Sequence, residues 1–220
     1  HPYYQQLVTA VQRAAHAAHT EVVLPPPDSY IGLEKIDGLL LCHGHCDKIV
    51  KTLPPGLPVV VMVHLSELAP CVVADEAAGM RQAMAHLLRA GHRRIAYLSV
   101  AVQSWSNAAA DSRHAAYLET LRANGIAHDE RWSRPVFRDW DQDLNFARAG
   151  FARTKQWIEE DWRELGCTAL LAHNDDVAIG AIKAFGEAGI AVPGEVSVVG
   201  FDGSAIALAS HPALTTVELP

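Results

Sequence analysis

Two short polar runs stand directly behind apolar ones and carry the residue types that hold a small polar molecule. After Leu170, Leu171 and Ala172 come His173, Asn174, Asp175 and Asp176; after Val198 and Val199 come Gly200, Phe201, Asp202 and Gly203. Asn174 and Asp202 offer the acceptors and donors that suit hydroxyl groups, and Arg113, at the start of a helical stretch, adds a charged donor. An Asn or Asp at a helix start most often caps exposed backbone N–H groups, and that reading is preferred for Asp175 and Asp75. Asp202, among glycines, serves equally well as a loop stabiliser or as a ligand contact.

Other chemistry is set aside. Cys42-His43-Gly44-His45-Cys46 packs two thiols and two imidazoles into five residues. Structural zinc sites draw two close pairs from separated places, and no second pair follows, so a strand-end loop is expected and no metal. The sequence has no G-x-G-x-x-G, G-x-x-x-x-G-K-[ST], H-E-x-x-H or G-x-S-x-G, and no Ser/His/Asp trio has motif support. No catalytic residues, no enzyme and no cofactor are therefore expected.

The elements that must position these residues repeat a pattern: a helical stretch, a small residue with Gly, then a β-branched run. Gly91, Gly125 and Gly189 read as C-terminal helix stops. Strands are expected at Glu21 to Leu24, Gly38 to Leu41, Val59 to Val63, Arg94 to Ser99, Thr168 to Ala172 and Val196 to Gly200. Their continuous apolar character is that of parallel strands covered on both faces. Helices are expected at Tyr3 to His19, Glu76 to Ala90, Ser112 to Ala123, Asn145 to Leu165 and Asp175 to Ala188, which makes an α/β fold. Ligands bind outside the carboxyl ends of parallel strands, where the polar runs lie. A fresh βαβ series begins near Gly91, the expected lobe boundary.

The 220 residues, half of them apolar and a fifth charged, can bury a substantial core. The net charge of −7 argues against a nucleic-acid surface within these residues, since phosphate binding needs clustered Lys and Arg. The longest apolar runs are short enough for strands, so no membrane partner is expected. Four irregularly spaced cysteines suit reduced thiols in a cytoplasmic protein.

One ordered series is more specific. Asn174-Asp175, Ala178, Gly180, Gly189, Val192-Pro193, Val199-Gly200-Phe201-Asp202 and Pro212-x-Leu214-Thr215-Thr216-Val217 resemble the lactose and galactose repressor family. So do His1-Pro2-Tyr3-Tyr4, Ile36-Asp37-Gly38 and Leu87-x3-Gly91-His92-x2-Ile95, and the resemblance spans nearly the whole chain. It implies two similar Rossmann-like lobes, each a parallel sheet flanked by helices, with a ligand cleft between them. The first lobe would occupy 1–90 and lack some residues, the second 91–217, with 218–220 beginning the return to the first through a crossover at Leu214 to Val217.

The resemblance also carries roles over. Arg113, Asn174 and Asp202 match the family's ligand residues; Tyr3 and His1 stand at its first-lobe contact, with His1 in place of Asn. Trp140 is a candidate for aromatic stacking on the ligand, and Trp105 a similar case. Ser112 and Ala116 depart from the family's Asp and Gly. The implied protein is a cytoplasmic, homodimeric transcription regulator, a repressor, that binds a sugar-like effector and reaches operator DNA through an N-terminal helix-turn-helix not present here. Residues are also expected to be missing after Pro220 and between Leu24 and Ile36. The alternative is a periplasmic solute-binding protein of a sugar transporter.

Overall fold

The computed structural model describes residues 2–24, 35–42, 45–102, 112–138 and 145–220, which divide into two compact units, His1–Ala74 and Asp75–Pro220. In the first, helix α1 (Pro2–Ala17) precedes strand β1 (Leu39–Leu41), helix α2 (Cys46–Val50), and strands β2 (Val59–Met62) and β3 (Cys71–Val72). The strands form a parallel sheet in the order β1-β2-β3. Leu41, Val61 and Cys46 make its small core.

The second unit holds α3 (Glu76–Arg89), β4 (Ile95–Val102), α4 (Ser112–Ala123), β5 (Ser133–Arg138), α5 (Phe146–Glu160), α6 (Trp162–Leu165), β6 (Ala169–Ala172), α7 (Asp175–Glu187), β7 (Ser197–Asp202), α8 (Ala205–Ala209) and β8 (Thr215–Glu218). Its five strands are parallel in the order β5-β4-β6-β7-β8. Successive side chains alternate between the two faces. Ala96, Leu98, Leu170, Ala172 and Val198 pack on one side with Trp157 of α5 and Val177, Ala181 and Phe185 of α7. Ile95, Tyr97, Leu171, Val199 and Phe201 pack on the other with Met80, Met84 and Leu87 of α3 and Tyr117 and Leu121 of α4. Both faces being covered, the strands need no polar side, which is why they read as unbroken apolar runs.

Several expectations are corrected. Glu21 to Leu24 is coil, with Val23 and Leu24 exposed. The units divide at Ala74, ahead of the boundary expected near Gly91, because the apolar face of α3 is buried in the second sheet's core. Thr215–Glu218 is an edge strand of that same sheet, paired with β7 from Val199↔Thr215 to Asp202↔Glu218, where a crossover was expected. The helix expected from Asn145 to Leu165 is broken at Asp161. Strands β3, β5 and β8 and helices α2 and α8 went unforeseen; β5, Ser-Arg-Pro-Val-Phe-Arg, is polar and tolerates Pro135 because it is an edge. Gly91, Gly125 and Gly189 all have positive φ, as helix stops require.

Helices α5 and α7 cross at near backbone contact. A Cβ on Gly150 would lie 2.5 Å from the Val177 carbonyl oxygen, and one on Gly180 would strike the Ala147 carbonyl and sit 2.6 Å from the Phe151 nitrogen. Gly180→Ala is expected to destabilise the second unit by about 2 kcal/mol or more despite Ala's higher helix propensity. Gly186→Ala, in the same helix but with open space around it, is expected to gain about 0.5–1 kcal/mol. Urea midpoints moving in opposite directions check this; parallel shifts refute the tight crossing.

Candidate functional site

The carboxyl end of β6 runs into α7. His173 continues the ladder, its N–H donating to the Leu98 carbonyl at 2.8 Å. Asn174 then leaves the strand in extended conformation and caps α7, its Oδ1 accepting from the Val177 N–H at 2.9 Å. That cap leaves the Asn174 amide donors outside the helix.

The capping expected of Asp175 therefore belongs to its neighbour. Asp175, 1% exposed, accepts from the Ser204 N–H and hydroxyl, each at 2.7 Å, and from the Thr216 hydroxyl at 2.5 Å. It ties the start of α7 to the turn after β7 and to β8. Burial pushes its carboxyl up, while the Thr216 and Ser204 bonds pull it down. Gly200 permits the approach, since a Cβ there would collide with the Asp175 carboxylate. Asp75 does cap α3, accepting from the Ala78 N–H at 2.8 Å, as expected.

Arg113, in the first turn of α4, is buried. Its guanidinium lies 4.0 Å above the Phe201 ring. One terminal nitrogen donates to Glu76 Oε1 at 2.7 Å; the other donates to the His173 carbonyl and stands 3.8 Å from Asp202 Oδ1. Its Nε is buried without a partner. Burial opposes the charge, but Glu76 and Asp202 outweigh it, so the pKa rises and Arg113 is cationic. Glu76 also accepts from the Ser112 hydroxyl at 2.8 Å.

Asp202 ends β7 with φ of 115°, a conformation that costs a non-glycine residue about 1–3 kcal/mol. Burial pushes its carboxyl up to about 7; Arg113 pulls it down, and Asp175, Asp176 and Glu76 push it further up. His173 is held neutral by burial and by Arg113, its pKa well below the usual value, and its Nδ1 is 3.4 Å from the Tyr97 hydroxyl.

Arg113, Asn174 and Asp202 thus gather at the carboxyl ends of one parallel sheet. In the first unit, Tyr3 is half-buried in the first turn of α1, its ring edge-on to Tyr4 at 5.8 Å. The Tyr4 hydroxyl lies 3.4 Å from Nε2 of His64, just past β2, and Val63 between them has φ of 72°. His1, Trp140 and Trp105 lie outside the described residues, as do His43 and Gly44. Cys46, read as part of a strand-end loop, opens α2, and its thiol donates to the Leu65 carbonyl at 3.2 Å. The four cysteines are free, and burial pushes Cys42 up to about 11 and Cys167 up to about 12.

Sequence reasoning missed Glu76, Phe201, Ser204 and Thr216. Glu76 lies 37 positions before Arg113, a separation at which only the packing of α3 against α4 can pair them. The one available signal was its place beside a helix cap.

Asp202 generates a pH prediction. With its pKa raised in the fold, the native state holds a proton that the unfolded chain releases, so stability falls as pH rises from the ordinary carboxylate range through about 7. Asp202→Asn is expected to flatten that slope, the difference from the parent reaching at most about 4 kcal/mol between roughly pH 4 and 8. Urea titrations of both proteins across that range check it; identical slopes overturn the assignment.

A family model described as a periplasmic-binding-protein-like domain matches residues 84–220. The HTH-type transcriptional regulator GalS of Salmonella typhimurium is 34% identical over 72% of this chain and 44% of its own length. The HTH-type transcriptional regulator AscG of Escherichia coli is 38% identical over 63% of this chain and 37% of its own. The chain thus spans less than half the length of either. Among solved structures, a sugar-binding LacI-family transcriptional regulator from Escherichia coli, complexed with phosphate, superposes with a TM-score of 0.76 at 28% identity, covering 99% of this chain and 79% of that one. These relatives are transcription regulators, not enzymes. No helix among the described residues is long and apolar enough to cross a membrane. The chain belongs to the periplasmic-binding-protein-like domain family.

Proposed function

We propose that the whole protein is a homodimeric, cytoplasmic repressor that senses a small sugar and binds operator DNA through a helix-turn-helix outside this chain. The observation that carries the sensing part is the convergence of Arg113, Asn174 and Asp202 on the carboxyl ends of β6 and β7. A carboxylate accepts from vicinal hydroxyls, a guanidinium and an amide donate to ring and hydroxyl oxygens, and together they read a polyol on several sides. Likeness to a regulator described as sugar-binding supports the same choice of ligand. The HTH-type relatives support DNA binding, and the chain's net charge of −7 agrees with base contacts lying elsewhere. Paired DNA-binding heads on a two-fold axis would read half-sites about one helical turn apart. Tyr3, His1 and Trp140 are proposed as further contacts, the aromatic rings against the apolar face of a sugar.

Effector binding would act by its different affinity for two conformations of the regulator. Thermal-shift screening against neutral mono- and disaccharides is expected to identify a stabilising sugar. Calorimetry of Asp202→Ala with that sugar is then expected to show affinity reduced about 10- to 100-fold, the value of a hydrogen bond to a charged group. Unchanged affinity overturns the site, and a panel without any stabilising sugar overturns the ligand class.

A further inference from the structure

The charge a ligand can carry follows from how Arg113 is held, given the site proposed above, on which this inference rests. A guanidinium grips phosphate or carboxylate with two nitrogens of its fork. Here each terminal nitrogen already gives an N–H to the protein, one to Glu76 Oε1 at 2.7 Å, the other to the His173 carbonyl with Asp202 at 3.8 Å. The two nitrogens are therefore not free as a pair for an oxyanion, while a remaining single N–H can still serve a hydroxyl. Glu76 is itself fixed on two sides, its Oε2 accepting from the Ser112 hydroxyl at 2.8 Å. Its carboxylate bridges the first turns of α3 and α4, and the Phe201 ring covers a face of the guanidinium.

We infer that Glu76 sets the charge selectivity of this site: by neutralising and occupying Arg113, it admits uncharged polyhydroxylated ligands and rejects their phosphorylated or carboxylated forms. An entering anion would have to displace Glu76, and would then stand among Asp175, Asp176 and Asp202. The resident groups already register that excess of negative charge, since Asp175, Asp176 and Glu76 all push the Asp202 carboxyl up. An uncharged sugar meets no such opposition and presents hydroxyl donors to the same carboxylate. Glu76 acts through Arg113 and is a positioning residue, which separates it from the groups that touch ligand.

Inorganic phosphate is a probe that does not depend on knowing the sugar. At matched ionic strength, calorimetry of the parent chain is expected to show no saturable phosphate binding up to ~10 mM, whereas Glu76→Gln, which keeps the shape and removes the charge, is expected to bind at least ~10-fold more tightly. Saturable binding to the parent, or equal responses of the two proteins, overturns the inference. If the variant does not fold, the parent alone decides: a neutral sugar found by screening is compared with its phosphate ester. An ester bound as tightly as the sugar overturns the inference; one bound at least ~10-fold more weakly supports it. A chain that binds no neutral sugar, yet gains phosphate affinity only in Glu76→Gln, refutes the sugar reading and supports charge selection by Glu76.

Discussion

A guanidinium almost wholly removed from water must find its counter-charge and acceptors inside the fold, because the uncompensated ion would cost several kcal/mol. For Arg113 the solution draws four groups from three elements: a carboxylate from the first turn of α3, a backbone carbonyl from the end of β6, and a carboxylate and an aromatic face from the end of β7. Moving any of these elements leaves the cation partly unpaired. Packing alone would tolerate small slides of α3 and α4 over the sheet; the directional bonds to Arg113 remove that freedom where the strands end.

The same edge carries a second buried acidic residue. Asp175 accepts three hydrogen bonds from Ser204 and Thr216, and Gly200 leaves the room for it. These bonds hold the turn after β7, and so hold Asp202 in its left-handed conformation beside Arg113. Two functions that look alike in sequence are thereby divided between adjacent residues. Asn174 caps the helix and keeps its amide donors outside it, while Asp175 spends both oxygens on the fold. Strain at a strand end persists only where surrounding bonds over-determine it, and here the surrounding bonds can be named.

Legibility followed the range of the interaction. Helix-stop glycines, apolar strands and the cap at Asp75 depend on neighbours a few residues away, and each was readable from local pattern. The edge strands β5 and β8 were not, because an edge needs neither a continuous apolar run nor every N–H in the ladder, so Ser133 to Arg138 looks like loop. Val23 and Leu24 erred the other way: apolar, with Val23 β-branched, they satisfy the pattern of a strand but lie in exposed coil. Placing α3 in the first unit failed for a related reason. A helix's apolar stripe shows that it packs, not on which sheet.

What the sequence determined by itself was the class of fold, the order of its helices and principal strands, and, through an ordered set of motifs, the family; it also singled out Arg113, Asn174 and Asp202 as the candidates for ligand contact. Tertiary structure alone decided that Glu76 partners Arg113, that Phe201 stacks beneath it, that Asp175 serves the scaffold while Asn174 caps, and that burial pushes the Asp202 carboxyl up to about 7. The physical reason is the distance over which each depends on the chain. Backbone preference and hydrophobic periodicity are written in consecutive residues, whereas the partner of a buried charge is chosen by which surfaces the packed sheet brings together.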